Sequence, residues 1–201
     1  MSEAAAAIVA LYETHAAAFD RLRGRSLFEA GWLDRFRALL PPAPAAILDI
    51  GCGSGEPIAR YLAEKGHAVT GIDSAPSLIA LCRARFPDHD WHVADMRTLS
   101  LGRRFDGLIA WDSFFHLAAD DQRAMFPLFR AHARPGAALM FTSGPAAGEA
   151  IGTFEGEPLF HASLDPAEYR AHLDAGGFDV VAHAAEDPAC GGHTVWLARA
   201  R

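Results

Sequence analysis

Between residues 2 and 40 the apolar positions follow a helical period. An alanine-rich run reaches Phe19, and Leu27, Phe28, Trp32, Leu33 and Phe36 then recur at helical spacing. Pro41, Pro42 and Pro44 end the pattern, because proline lacks the amide hydrogen that a helix needs. This stretch divides the chain into residues 1–44, expected to form an N-terminal helical cap, and residues 45–201.

Beyond it the period changes. Short apolar runs at 46–50, 68–72, 91–93, 105–110 and 137–141 read as strands. Helical patterns separate them over 57–65, 74–86 and 120–132, with Pro76 in a first turn where its missing N–H costs little. Strands alternating with helices predict a parallel sheet covered on both faces. The last third differs. Residues 148–161, punctuated by Gly, Glu and Pro, read as a hairpin-like excursion, and 165–175 as a helix opened by Asp165-Pro166. Residues 180–183 and 194–198 read as strands joined by a loop short enough to make them antiparallel.

With 201 residues, 51% hydrophobic and 21% charged, the chain can bury one substantial α/β core. Its 18 Lys and Arg against 25 Asp and Glu leave a net charge of -7, which argues against non-specific nucleic-acid binding. No apolar run is long enough to span a bilayer, and Glu3, Glu13 and Asp20 are out of place in a secretion signal. Cys52, Cys82 and Cys190 are odd in number and widely spaced. They fit neither a disulfide framework nor a zinc site, and a reducing, cytoplasmic location is expected. No histidine pair has metal-ligand spacing joined to a third ligand, so no metal is expected either.

The chemistry concentrates in Ile47-Leu48-Asp49-Ile50-Gly51-Cys52-Gly53-Ser54-Gly55. An apolar strand ends in an acid and runs into alternate glycines, which allow a sharp turn and let a ligand lie on the backbone. In open parallel sheets, ligands bind beyond the carboxyl ends of strands, where strand order reverses. The second strand is followed by Asp73, placed to accept from both hydroxyls of a ribose. The sixth position counted from Gly51 is Glu56, where a dinucleotide fingerprint needs Gly or Ala, and a carboxylate there would repel a pyrophosphate. No Lys-Ser/Thr pair follows the glycines, which excludes a nucleoside-triphosphate loop. The ligand expected is a ribose without phosphate, and S-adenosylmethionine meets that description. Asp49 can sit near its ammonium and sulfonium.

With Ala94-Asp95-Met96 after the third strand and Ala110-Trp111-Asp112-Ser113-Phe114-Phe115-His116 after the fourth, residues 45–143 resemble a class I S-adenosylmethionine-dependent methyltransferase. The resemblance implies a Rossmann-like, doubly wound, mostly parallel seven-stranded sheet with one antiparallel strand and an N-terminal helical cap. It implies that Gly51, Cys52 and Gly53 approach the methionyl part of the cofactor, that Asp73 with Ser74 holds the ribose, and that Asp95 and the Met96 N–H read the adenine. It places the Trp111 main chain near the methionine ammonium. His116 is then a candidate general base, and His161 and His193 lie where they could reach the same rim. Tyr12 and Trp32, on helices that lie over the cofactor in similar enzymes, are expected to wall the pocket. Arg25 is expected to pair with the methionine carboxylate, and Phe114 and Phe115 to line an apolar acceptor pocket.

The function expected is methyl transfer to a small-molecule acceptor, giving S-adenosylhomocysteine, with neither nucleic acid nor membrane as partner. The alternatives are a non-catalytic S-adenosylmethionine-binding module and a nicotinamide-dependent oxidoreductase. No Asn/Asp-Pro-Pro-Tyr/Phe motif follows strand four, which speaks against DNA-base methylation. The accepting atom and the oligomeric state are not encoded in any motif found.

Overall fold

The computed structural model describes residues 3–201, so the expected helix start at residue 2 lies outside the described residues. The N-terminal region is not one helical run. It forms α1 (Glu3–Thr14), α2 (Ala16–Leu22) and α3 (Ala30–Arg37). The break between α2 and α3 follows from Arg23, whose backbone is extended (ψ 115), and from Gly24, which weakens a helix interior.

The strands are β1 (Ala46–Ile50), β2 (Ala68–Asp73), β3 (Asp90–Val93), β4 (Phe105–Ala110) and β5 (Ala133–Ser143), with α4 (Ile58–Glu64), α5 (Pro76–Arg85) and α6 (Ala119–His132) between them. Then come the hairpin β6 (Gly148–Phe154) and β7 (Glu157–Ser163), α7 (Pro166–Ala175), β8 (Phe178–Asp187) and β9 (His193–Ala200). The main sheet has seven strands in the order β3-β2-β1-β4-β5-β9-β8. β1 to β5 pair in parallel, and β9 runs antiparallel to both of its neighbours. The 148–161 excursion is a separate two-stranded sheet.

Successive strand residues point to opposite faces, and both faces are buried. Leu48, Leu108, Leu139 and Phe141 pack with Phe126, Phe129 and Tyr169 under α6 and α7. Ile47, Ile109 and Met140 pack on the other face with Leu33 and Phe36 of α3 and Leu62 of α4. Asp49 shares the pleat face of Ile47, so the strand that delivers it to the carboxyl end also surrounds it with apolar side chains. The chain order reverses between β1 and β4, which opens a crevice above their ends.

Candidate active site

The floor of the crevice is the bend after β1. Gly51 and Cys52 N–H both donate to the Ile72 carbonyl, at 2.8 and 2.9 Å, tying the bend to β2. Gly51 has φ +75, and a Cβ there would stand 2.3 Å from Ser113 Cβ. Ser113 is itself fixed, its hydroxyl donating to the Ile50 carbonyl at 2.6 Å. Gly53 has φ +56, and a Cβ there would meet the Phe19 ring at 2.9 Å. Both positions need a left-handed backbone and leave no room for a side chain, and both line the crevice.

The crevice has two sides that share Tyr12, Phe19, Gly51, Gly53, Asp112 and His116. They hold about 790 and about 800 Å³ of empty space. The first side is lined by Asp73, Ser74, Asp95 and Met96, with Ile8 and Val9 of α1 and Leu78 of α5 as apolar walls. Asp73 accepts from Gly53 N–H through Oδ2 and from Ala75 N–H through Oδ1, each at 2.9 Å. A carboxylate offers about four lone-pair sites, so Asp73 holds the loop and still has acceptor capacity for the crevice. Burial pushes its carboxyl up, against the lowering effect of these backbone N–H groups. Asp95 is more fully engaged. It caps the short turn Met96–Thr98 by accepting from Arg97 N–H at 2.9 Å, and its carboxylate also takes the Arg97 guanidinium at 2.6 Å. That guanidinium holds the Asp95 carboxyl below its ordinary value.

The second side is lined by Asp49, Cys52, Glu56, Trp111, Phe115 and three histidines. Asp49 is 4% exposed and its carboxylate has no hydrogen-bond partner among the described residues. Burial, aided by the Asp73 charge, pushes its carboxyl up to about 7. An acid in that condition is a ready counterion for a cationic ligand. Glu56 is chelated by Arg60, whose Nε donates to both of its oxygens at 2.9 and 2.8 Å.

His116 and His193 face this side, and their surroundings push their pKa values in opposite directions. His116 Nδ1 lies 2.7 Å from the Phe160 carbonyl, which can only accept, so Nδ1 carries the proton. Burial pushes the imidazole down to about 4, so it is neutral at pH 7 and Nε2 is a lone pair. Tyr12 Oη, 2.9 Å away, therefore donates to Nε2. His193 has acceptors at both nitrogens: the Cys190 carbonyl 2.8 Å from Nδ1 and Asp112 Oδ1 3.1 Å from Nε2. The Asp112 carboxylate raises its pKa and favours the imidazolium. Rings of Trp111 and Phe28 stand on either side of it, at 5.5 and 5.3 Å between centroids. Asp112 has φ +48, and its N–H accepts the support of Thr142 by donating to Oγ1 at 2.8 Å.

Three expected pocket residues stand elsewhere. Phe114 is fully buried among Phe126, Phe129 and Phe141, because the turn Phe114–His116 sends Phe114 inward and Phe115 outward. Trp32 is on the buried face of α3 and its Nε1–H donates to Asp187 at 2.8 Å. Arg25 lies at the surface and donates to Asp20 at 2.9 Å. Arg23 lines the crevice instead, donating to the buried Glu29 at 2.6 Å. Tyr12, by contrast, is where the helical cap was expected to put it, with Phe154 of the hairpin stacked on it at 6.0 Å. Arg23, Phe19 and Asp112 are crevice residues to which the sequence reading gave no role, although Asp112 lies in the stretch after strand four. The one available signal was for Asp112, an acid just past a strand end like Asp73. Among the described residues no cluster of His, Cys, Asp and Glu could hold a metal, and no helix is long and apolar enough to cross a membrane.

Residues 47–136 match a family of methyltransferase domains. Over 96 residues, 47% of this chain, the protein is 38% identical to a dTDP-3-amino-3,6-dideoxy-alpha-D-glucopyranose N,N-dimethyltransferase of Streptomyces fradiae, of which the match covers 37%. Over 105 residues, 49% of this chain, it is 33% identical to a magnesium-protoporphyrin O-methyltransferase of Rhodobacter capsulatus, of which 45% is covered. The chain thus spans less than half of each of these relatives. Its fold is that of an amino pentose methyltransferase from Micromonospora echinaspora, solved with S-adenosylmethionine bound (TM-score 0.73, 24% identity, 94% of this chain and 97% of that one). The fold is shared equally by a Burkholderia thailandensis 1,6-didemethyltoxoflavin-N1-methyltransferase (TM-score 0.77, 20% identity, 100% and 91%). The glycine bend, the strand-end acids Asp49 and Asp73, and Asp112 all lie within the residues 47–136 that match the methyltransferase-domain family, and the sheet order is that of the solved methyltransferases.

Proposed function

We propose that the protein binds S-adenosylmethionine across the bend after β1 and transfers its methyl group to a small-molecule acceptor, leaving S-adenosylhomocysteine. The observation that carries this reading is the pair of strand-end carboxylates. Asp73 keeps acceptor capacity toward the crevice, and Asp49 is buried there with no partner, beside a bend whose Gly51 and Gly53 line the crevice. The residues fit the ligand. Asp73 would take the ribose hydroxyls, Leu78 and Met96 would flank the adenine, Asp49 would face the ammonium, and Arg23 would face the carboxylate. Asp95 would receive the adenine amino group only by sharing its carboxylate with Arg97.

The sulfonium supplies an already activated methyl group. The chain's task is then to hold an acceptor in line with it and to keep water out. Residues 1–44 serve in this reading as the cap, since α1 carries Ile8, Val9 and Tyr12 over the crevice. The relatives named above act on small molecules, which supports the acceptor class, and three free buried cysteines suit a reducing cytoplasm.

Calorimetric titration with S-adenosylhomocysteine tests the reading. Wild-type protein binds it, and Asp73→Ala and Asp73→Asn weaken it by about 100-fold, the loss of charge-assisted hydrogen bonds. Unchanged affinity in both variants, or binding of NADH in place of S-adenosylhomocysteine, would contradict it.

A further inference from the structure

Resting on that reading, we propose that the accepting atom is the nitrogen of a primary or secondary amine, held by two groups that can only accept hydrogen bonds: the Tyr12 oxygen and the Asp112 carboxylate. Both line both sides of the crevice, at the junction where a methyl group would change hands.

The polarity of this pair is fixed by groups behind it. The Phe160 carbonyl obliges His116 Nδ1 to donate, at 2.7 Å, so Nε2 must accept from Tyr12 at 2.9 Å. The only hydrogen of the Tyr12 hydroxyl is thereby spent, and its lone pairs remain for the crevice. Asp112 is held by His193 Nε2 at 3.1 Å and by the Thr142 hydroxyl at 3.3 Å, and its remaining lone pairs are likewise acceptors. The N–H groups of His193 are both occupied, by Cys190 and Asp112, and the Arg23 guanidinium, bonded to Glu29, is the group that would face the cofactor carboxylate.

Two acceptors lining the same junction suit a group that carries two N–H donors and keeps a lone pair. An alcohol has one O–H and would leave one acceptor unmatched. A carboxylate or phenolate would face Asp112 and Asp49 with charge of the same sign. An alcohol would also need a base. His116 Nε2 is occupied and its imidazole is held near 4 by burial, and the Asp112 carboxylate is already engaged by His193 Nε2 and the Thr142 hydroxyl. An alkylamine arrives near neutral pH as its ammonium and gives one proton to water by way of the Asp112 carboxylate; the free amine then needs no base in the transfer itself. Its lone pair forms the new N–C bond, the C–S bond breaks with its electrons left on sulfur, and the resulting alkylammonium passes its extra proton to water by way of the Asp112 carboxylate. The rings of Tyr12, Phe115 and His161 around the junction give the carbon skeleton an apolar surface.

The test uses three probes of similar shape, aniline, phenol and benzoate, titrated at about pH 7.5, where the first two are uncharged, at millimolar concentration by ligand-observed NMR into protein saturated with S-adenosylhomocysteine. The amine should bind about tenfold or more tighter than either of the others. Asp112→Asn retains a residue that tolerates positive φ but turns one acceptor into a donor, and it should erase that preference; Tyr12→Phe should reduce it. Circular dichroism and S-adenosylhomocysteine affinity report whether each variant is folded. Equal binding of the three probes, binding of none, or a preference that survives both substitutions overturns the inference. So does an Asp112→Asn variant that loses S-adenosylhomocysteine and keeps the amine preference, since Asp112 would then serve the cofactor. If wild-type protein does not bind S-adenosylhomocysteine at all, the methyl-transfer reading itself falls.

Discussion

Replacing Asp49 by asparagine should make the empty protein more stable and a worse binder. The carboxyl moves from an ordinary 3.8 to about 7 because it is buried and has no partner. At about 1.4 kcal/mol per unit, the folded state gives up on the order of 4 kcal/mol when Asp49 is charged, as an upper bound. The sign follows from proton counting. Between about pH 4 and pH 7 the folded state holds a proton at Asp49 that the unfolded state has released. This contribution to stability is therefore lost as pH rises toward 7. Asparagine does not ionise, so at pH 8 the variant should exceed wild type by about 2–4 kcal/mol, and near pH 4 the difference should fall below about 1 kcal/mol. Removing this charge also relieves Asp73, which raises the Asp49 carboxyl through its own charge. Urea denaturation of both proteins without cofactor, at the two pH values, measures this. Affinity should go the other way, with S-adenosylhomocysteine weakened about tenfold as its ammonium loses a counterion. A variant less stable than wild type at pH 8, or one that binds as tightly, would refute the view of Asp49 as a charge kept for a cationic ligand.

Further outcomes follow from the same geometry. Gly51→Ala should cost about 2–4 kcal/mol, from a left-handed backbone and the displaced Ser113 hydroxyl, and should abolish cofactor binding in calorimetry. Arg23→Gln should weaken S-adenosylhomocysteine about tenfold and lower the melting temperature, since Glu29 loses its cation. Arg25→Gln should change stability by less than about 0.5 kcal/mol and leave affinity alone. Phe114→Ala should destabilise by about 3–5 kcal/mol in denaturation without altering the affinity of the folded fraction, because Phe114 is core. Because His116 is pushed down to about 4, its neutral form favours folding above about pH 6.5, and that contribution disappears as pH falls through about 4. His116→Gln should therefore flatten the acid side of the melting-temperature profile.

The parallel core was legible because its code is local. Continuous apolar runs such as Ile47-Leu48 and Leu108-Ile109 identify strands buried on both faces, and Gly51 and Gly53 mark a bend that favours glycine. The N-terminal region was less legible. An unbroken apolar rhythm hides the turn after Arg23, and that turn decides that Arg23 enters the crevice while Arg25 stays on Asp20. Aromatic residues carry no mark of direction. Phe114 and Phe115 are adjacent, and only the turn at the end of β4 sends one into the core and the other to the cavity. The states of His116 and His193 depend on carbonyls at Phe160 and Cys190, one of them far away along the chain, which no motif records.

An adenosine on the bend between β1 and α4, with its ribose on Asp73, is what a crystal structure with S-adenosylhomocysteine soaked in measures most directly. Both ribose hydroxyls should lie within hydrogen-bonding distance of the Asp73 carboxylate, and the methionyl ammonium should lie beside Asp49. A ligand seated in another groove, or a crevice that stays closed by Tyr12 and Phe19 at saturating concentration, would contradict it.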